Sequence, residues 1–129
     1  MHPIGVAARM SGVNIETIRY YEREGVVPAP ERSGSGRRLY DRAAIARLRF
    51  IRRCRDLGFP VADIRALLAL TEEAETPCAE ARGIGEKQLA LVRAKLRDLR
   101  SMESGLARLL RECDSGTQEC TMLRILFAD

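Results

Sequence analysis

Residues 4–27 read IGVAARMSGVNIETIRYYEREGVV, and the order of apolar, glycine and aromatic positions in that stretch decides the fold. Ile4, Val6, Ala7, Ala8 and Met10 fit a short buried helix, interrupted at Ser11-Gly12-Val13 by a residue free to take positive φ. Asn14 is suited to cap a second helix, in which Ile15, Ile18 and Glu22 follow at helical intervals. Gly25 can close that helix in a left-handed turn. Two short helices about a glycine-bearing turn make a helix-turn-helix. On the second helix Thr17, Arg19, Tyr20 and Tyr21 offer a hydroxyl, a guanidinium and two phenols, groups that hydrogen-bond phosphates or base edges in a major groove. Arg19 is the foremost candidate, with Tyr20 expected outward and Tyr21 partly buried.

Downstream, Pro28, Pro30 and Gly34-Ser35-Gly36 break any helix, and Arg37-Arg38-Leu39-Tyr40 alternates basic with apolar or aromatic residues as a short strand does. Such a loop reads as a wing, with Arg37, Arg38 and Tyr40 adding phosphate contacts and register. Asp41 can cap the next helix, whose apolar stripe is Ile45, Leu48, Phe50, Ile51 and Leu57, interleaved with six arginines. Leu57-Gly58-Phe59-Pro60 forces a corner, after which Ile64, Leu67, Leu68 and Leu70 carry another helix toward Glu72-Glu73.

Composition agrees with a helical protein. Across 129 residues, hydrophobic side chains make up 46 % and charged ones 31 %, yet aromatics only 5 %, which disfavours a sandwich or barrel. The length suits one small domain with an appended oligomerisation element. Residues 1–70 carry 13 Lys and Arg against 7 Asp and Glu, whereas 71–129 carry 9 against 11, so a polyanion meets the first half. No apolar run approaches the ~20 residues needed to span a bilayer and no leader pattern opens the chain, so a cytoplasmic location is expected.

From Glu86 the apolar positions Leu89, Val92, Leu96, Leu99, Met102, Leu106 and Leu109 form a seam over several turns, which favours homodimerisation through a long helix. Cys78 lies just before this helix, Cys113 at its far end and Cys120 beyond it. A helix of about 25 to 30 residues separates its ends by roughly 40 Å, so thiolates at both ends of one chain do not share an ion. In an antiparallel dimer, Cys78 of one protomer falls beside Cys113 and Cys120 of the other, giving intersubunit sites. The loop from Cys113 to Cys120 contains Gly116 and can fold back, and the apolar residues from Met122 to Phe127 suggest a short helix packed beside it. Cys54, without a cysteine neighbour, reads as an ordinary small helix residue.

Three sulfurs suit soft ions, whereas structural zinc usually takes a fourth sulfur or nitrogen ligand, and the lone histidine is His2. Hg(II) fits first, then Pb(II) or Cd(II), ahead of Zn(II); Cu(I) needs only two thiolates. The sulfur count does not separate mercury from lead. A thiol redox or electrophile sensor and an architectural DNA-binding protein with structural zinc are the competing readings. An enzyme is disfavoured, because no histidine accompanies any cysteine and no phosphate-cradling glycine loop is present.

Together the 4–27 segment, the RRLYD wing at 37–41, the LGFP corner at 57–60 and the long helix resemble the MerR family of transcriptional regulators over nearly the whole chain, and CAEARGIGEKQLALVRAKLRDLRSMESGLARLL, residues 78–110, looks like its mercury-responsive branch. The resemblance implies a mainly α protein with a winged helix-turn-helix head at 1–72, a linker and antiparallel coiled-coil dimerisation helix at 73–112, and a metal-binding loop with a short helix at 113–129. It implies a dimer on a palindromic operator in double-stranded promoter DNA, acting with RNA polymerase, repressing without metal and activating with it through DNA distortion. By position it assigns Arg19, Tyr20, Arg37, Arg38 and Tyr40 to DNA, and Cys78, Cys113 and Cys120 to metal. The chain departs from the pattern in the six-residue interval between Cys113 and Cys120, shorter than expected of mercury sensors, and in Pro60, where the family often has a polar helix cap.

Overall fold

Eight elements follow in the order α1 (Ile4–Ser11), α2 (Ile15–Arg23), β1 (Glu31–Arg32), β2 (Arg38–Leu39), α3 (Arg42–Asp56), α4 (Val61–Glu73), α5 (Pro77–Glu112) and α6 (Thr121–Phe127) in a computed structural model that describes residues 1–73, 77–113 and 120–129. The chain is mainly α with one small antiparallel sheet. It divides into two compact units, Met1–Gln88 and Leu89–Asp129, the boundary falling within α5.

In the first unit, the helix ends lie where the chain chemistry puts them. Asn14 Oδ1 accepts the Thr17 backbone N–H at 2.8 Å, and Asp41 Oδ1 accepts that of Ala44 at 2.8 Å, each satisfying a donor that the first turn leaves without a partner. Gly12, at φ 78°, ends α1, and Gly25, at φ 70°, follows α2; an L side chain is disfavoured at both. Ile18, Ile45, Leu48, Ile51 and Ile64 are fully buried at the centre of the head, joining α2, α3 and α4. Burying each contributes about 1.5–3 kcal/mol relative to exposure. α1 is less buried than its composition suggests: Ala7 is enclosed, while Met10 is 43 % exposed. Leu57 also leaves the apolar stripe, being 64 % exposed where Gly58, at φ 81°, turns the chain out of α3.

Three arginines brace this unit through carbonyl oxygens. Arg49 Nε donates to Met10 O at 3.0 Å, Arg52 donates to Gly12 O, and Arg65 donates to Glu24 O. Each brings a cation to the carbonyl end of α1 or α2, where helix dipoles favour positive charge.

The wing is the hairpin β1–β2, pairing Glu31 with Leu39 and Arg32 with Arg38. Its turn closes with Gly36 N–H donated to Ser33 O at 2.9 Å and Gly36 at φ 84°. Arg32 Nη1 donates to Gly36 O at 2.9 Å and stiffens the tip. His2 extends the hairpin on its other side, with His2 N–H donated to Tyr40 O at 2.9 Å and Tyr40 N–H to His2 O at 2.7 Å.

α5 runs for 36 residues, longer than the apolar spacing alone indicates, and begins at Pro77 rather than near Glu86. Proline is compatible with a first helical position, where its missing N–H has no intrahelical role. Cys78 therefore lies in the first turn of the helix, not before it. In the second unit, Leu89, Leu96, Leu99, Met102 and Leu106 are 44–61 % exposed along α5. The short helix expected after Cys120 is α6, but Leu123, Leu126 and Phe127 are exposed rather than packed. Among the described residues, no helix is long and apolar enough to cross a membrane.

Candidate nucleic-acid interface and cysteine positions

Four arginines of the first unit line one cleft. Arg19 from α2, Arg32 from β1, and Arg37 and Arg38 at β2 line it, with Pro3 and Ile4 at the start of α1 and Gly36 at the wing tip. Four guanidiniums from three elements line this concavity, two of them paired with the carboxylates of Glu16 and Glu22, and such a basic lining attracts backbone phosphates.

The sequence candidates take different places around it. Arg19 is exposed and its Nη1 lies 2.9 Å from Glu16 Oε1, one helical turn away. An exposed pair of this kind contributes little stability, so the guanidinium is exchangeable toward an anion. Tyr20 is 41 % exposed and Tyr21 only 5 %, with ring centroids 5.7 Å apart, as the sequence reading expects of the two phenols. Burial pushes the Tyr21 phenol up, opposed by the Arg55 charge. Thr17 is half-buried, and its backbone N–H is held by the Asn14 cap. Arg37 is exposed at the wing.

Arg38 and Tyr40 stand apart from that group. Tyr40, expected at the DNA surface, is 3 % exposed, and its hydroxyl donates to Glu22 Oε1. Arg38 Nη1 lies 3.1 Å from Glu22 Oε2, and the Glu22 side chain is 7 % exposed. Burial, then the hydrogen bond and charge of Glu22, push the Tyr40 phenol far above its ordinary range, with Arg38 opposing. The tyrosine turns inward because its backbone is bridged to His2 and its side chain joins the buried core of the unit. Glu22 has no signal in the sequence beyond its helical spacing; a carboxylate four residues after Ile18, on the core side of α2, is the cue that a partner must meet it.

The cysteines occupy different surroundings. Cys54 is buried in α3, and burial pushes its thiol up, which suits a structural residue and not a ligand. Cys78 is exposed in the first turn of α5; Cys113, directly after Glu112, and Cys120, at the N-cap of α6, are half-buried. The fold-back expected between Cys113 and Cys120 lies outside the described residues at 114–119. Within either unit, among the described residues, no group of three or more His, Cys, Asp and Glu is gathered to hold a metal ion. Three thiols, with the lone histidine at position 2, are donor chemistry that fits a thiophilic cation.

Residues 3–71 match the family described as MerR HTH family regulatory protein, and residues 45–109 match the one described as MerR, DNA binding. The chain is 38 % identical over 125 residues to a mercuric resistance operon regulatory protein of Serratia marcescens, covering 95 % of this chain and 85 % of that protein. Among solved structures it is similar to the transcription regulator PbrR691 of Ralstonia metallidurans CH34 in complex with lead(II), with TM-score 0.83, 39 % identity and coverage of 98 % and 99 %. It is also similar to the dual-function regulator MerR of Bacillus megaterium MB1 in complex with mercury(II), with TM-score 0.75, 31 % identity and 95 % of each chain covered.

Proposed function

The chain belongs to the MerR family of helix-turn-helix regulatory proteins, and from that premise we propose a metal-responsive transcriptional regulator that acts as a homodimer on promoter DNA. α2 enters the major groove with Thr17, Arg19 and Tyr20, while the wing sets Arg37 along the phosphates and holds Arg38 against Glu22. Tyr40 contributes to that surface by holding the wing in place. The observation that carries the DNA reading is the arginine cleft between α2 and the hairpin.

Dimerisation through α5 is supported by the row of exposed leucines from Leu89 to Leu106, which requires a covering surface. Cys78 and Cys113 stand at opposite ends of that helix, which favours sites in which Cys78 of one protomer joins Cys113 and Cys120 of the other. A bound soft cation there would link the thiolates of both chains. Hg(II) is the first assignment, supported by the mercuric resistance relative and the mercury-bound neighbour. Pb(II) is the second, favoured by the lead-bound regulator; Cd(II), Zn(II) and Cu(I) follow. The metal-free dimer represses, and the loaded dimer activates from the same site, with deformation of the promoter duplex as the switch for RNA polymerase.

The deciding experiment is competitive titration of the reduced protein with Hg(II), Pb(II), Cd(II), Zn(II) and Cu(I) under thiol buffering, followed by thiolate charge-transfer absorbance. Tight binding that consumes three thiols and prefers Hg(II) is expected. Preference for another ion reassigns the inducer, and no binding returns the thiols to redox sensing.

A further inference from the structure

The carboxylate of Glu22 is nearly enclosed and divides its two oxygens between residues of the wing: Oε1 receives the Tyr40 hydroxyl and Oε2 faces Arg38 Nη1 at 3.1 Å. Glu22 belongs to α2, whereas Arg38 lies in β2 and Tyr40 directly follows it, so one side chain spans the two elements that flank the arginine cleft. An acidic group here is costly on two counts. It is buried, and it sets a negative charge beside the surface proposed to meet phosphates. A fold that keeps it must derive something from its geometry.

We propose that Glu22 is a positioning residue for DNA binding: its paired contacts to Arg38 and Tyr40 lock the wing against α2, so that both meet the duplex as one rigid body. The inference rests on the reading that α2 and the wing face DNA. Arg38 pairs its charge with Glu22, which leaves Arg19, Arg32 and Arg37 as the cations of the cleft not held by that carboxylate. Tyr40 acts on DNA through Glu22, because its hydroxyl is already donated and its ring is buried. Locking matters because a wing free to swing reaches phosphates on any sequence, whereas a fixed wing accepts only a duplex whose groove geometry matches the separation of wing and helix. Discrimination between sites is then the property Glu22 controls.

Glu22→Gln is the informative change. It keeps the volume and one acceptor for Tyr40, but places an amide or a neutral oxygen against Arg38, which has only donors to offer. Released, the Arg38 guanidinium turns outward and becomes a new phosphate contact. Binding to an operator duplex and to a random duplex is measured across a salt series by fluorescence anisotropy for the full-length protein and for Glu22→Gln, Tyr40→Phe and Arg37→Ala. Glu22→Gln is expected to steepen the salt dependence by about 0.9 in log–log slope, the value of one added phosphate contact. It is also expected to lower the ratio of operator to random affinity about tenfold, the size of one charged hydrogen bond. Tyr40→Phe lowers that ratio too, with its salt slope unchanged.

A Glu22→Gln protein with wild-type slope and wild-type ratio overturns the proposal. If that variant loses its helical circular dichroism, Tyr40→Phe decides, and an unchanged ratio there overturns it equally. Arg37→Ala separates the two levels of inference: weakened binding to both duplexes upholds the DNA-facing reading whatever Glu22 does, and unaltered binding removes the reading on which the proposal rests.

Discussion

Gln88 donates its Nε2 amide to the carbonyl oxygen of Leu57 at 3.1 Å, joining the first part of α5 to the corner between α3 and α4. The glutamine is 5 % exposed, a buried polar side chain whose donor is matched at the corner between α3 and α4. Gly58 stands at the same corner with φ 81°, and a Cβ added there would lie 3.0 Å from the Gln88 amide. Gln88→Ala is expected to cost about 1–2 kcal/mol in urea unfolding, the scale of a lost buried hydrogen bond. Gly58→Ala should cost about 1–2 kcal/mol from its left-handed backbone alone. The double variant should lose less than the sum, because removing Gln88 relieves the crowding.

Arg19 and Glu16 predict effects of opposite sign. Arg19→Ala should weaken operator binding with and without metal, since the guanidinium faces the cleft. Glu16→Gln, which removes the charge 2.9 Å from Arg19, should strengthen binding at low salt by about threefold, with little change in melting temperature. Weaker binding by Glu16→Gln would show that the pair, not the free arginine, is what DNA recognises.

Cys113→Ser and Cys120→Ser should each abolish metal-induced transcription and leave operator binding intact. Mixed dimers of Cys78→Ser and Cys113→Ser protomers test the intersubunit geometry. Such a dimer should retain one complete site by metal titration, and a count of zero would refute the antiparallel arrangement.

Tyr40 predicts a response to alkali. Burial and Glu22 raise its folded pKa above the ordinary value of about 10, so the folded chain holds the proton more tightly than the unfolded one. The associated stability is complete below that value and declines as pH rises above it. Melting temperature followed from about pH 8 to 11 should fall less steeply in Tyr40→Phe than in the parent. Equal slopes would mean that the hydroxyl is not engaged with Glu22.

Ile51, with no exposed surface at the centre of α3, should be the costliest simple truncation in the head. Ile51→Ala is expected to lose about 2–5 kcal/mol by denaturant unfolding, while Leu57→Ala, at 64 % exposure, should change stability by less than about 1 kcal/mol.

What the sequence discloses is local. Asn14 and Asp41 as caps, Gly12 and Gly25 as left-handed turns, and the burial of Ile18, Ile45 and Ile64 all follow from spacing of a few residues, because the forces that set them act within a turn. The arginine staples do not. Arg49 and Arg52 show in the sequence only as charges interleaving the apolar stripe and Arg65 carries no signal, yet all three donate to backbone carbonyls about 40 residues away, and a carbonyl acceptor leaves no mark in the sequence. The inward turn of Tyr40 is equally hidden, since it depends on Glu22 from another element and on backbone pairing to His2. The start of α5 at Pro77 escaped the apolar pattern because its first turns carry Glu80, Gly83 and Gly85 where the seam has no leucines.

The backbone bridge between His2 and Tyr40 bears on how the protein is handled. Removal of His2 would take two backbone hydrogen bonds from the far side of the hairpin and strip Tyr40 of the pairing that helps turn it inward. A preparation that retains His2 keeps the hairpin's third backbone partner in place.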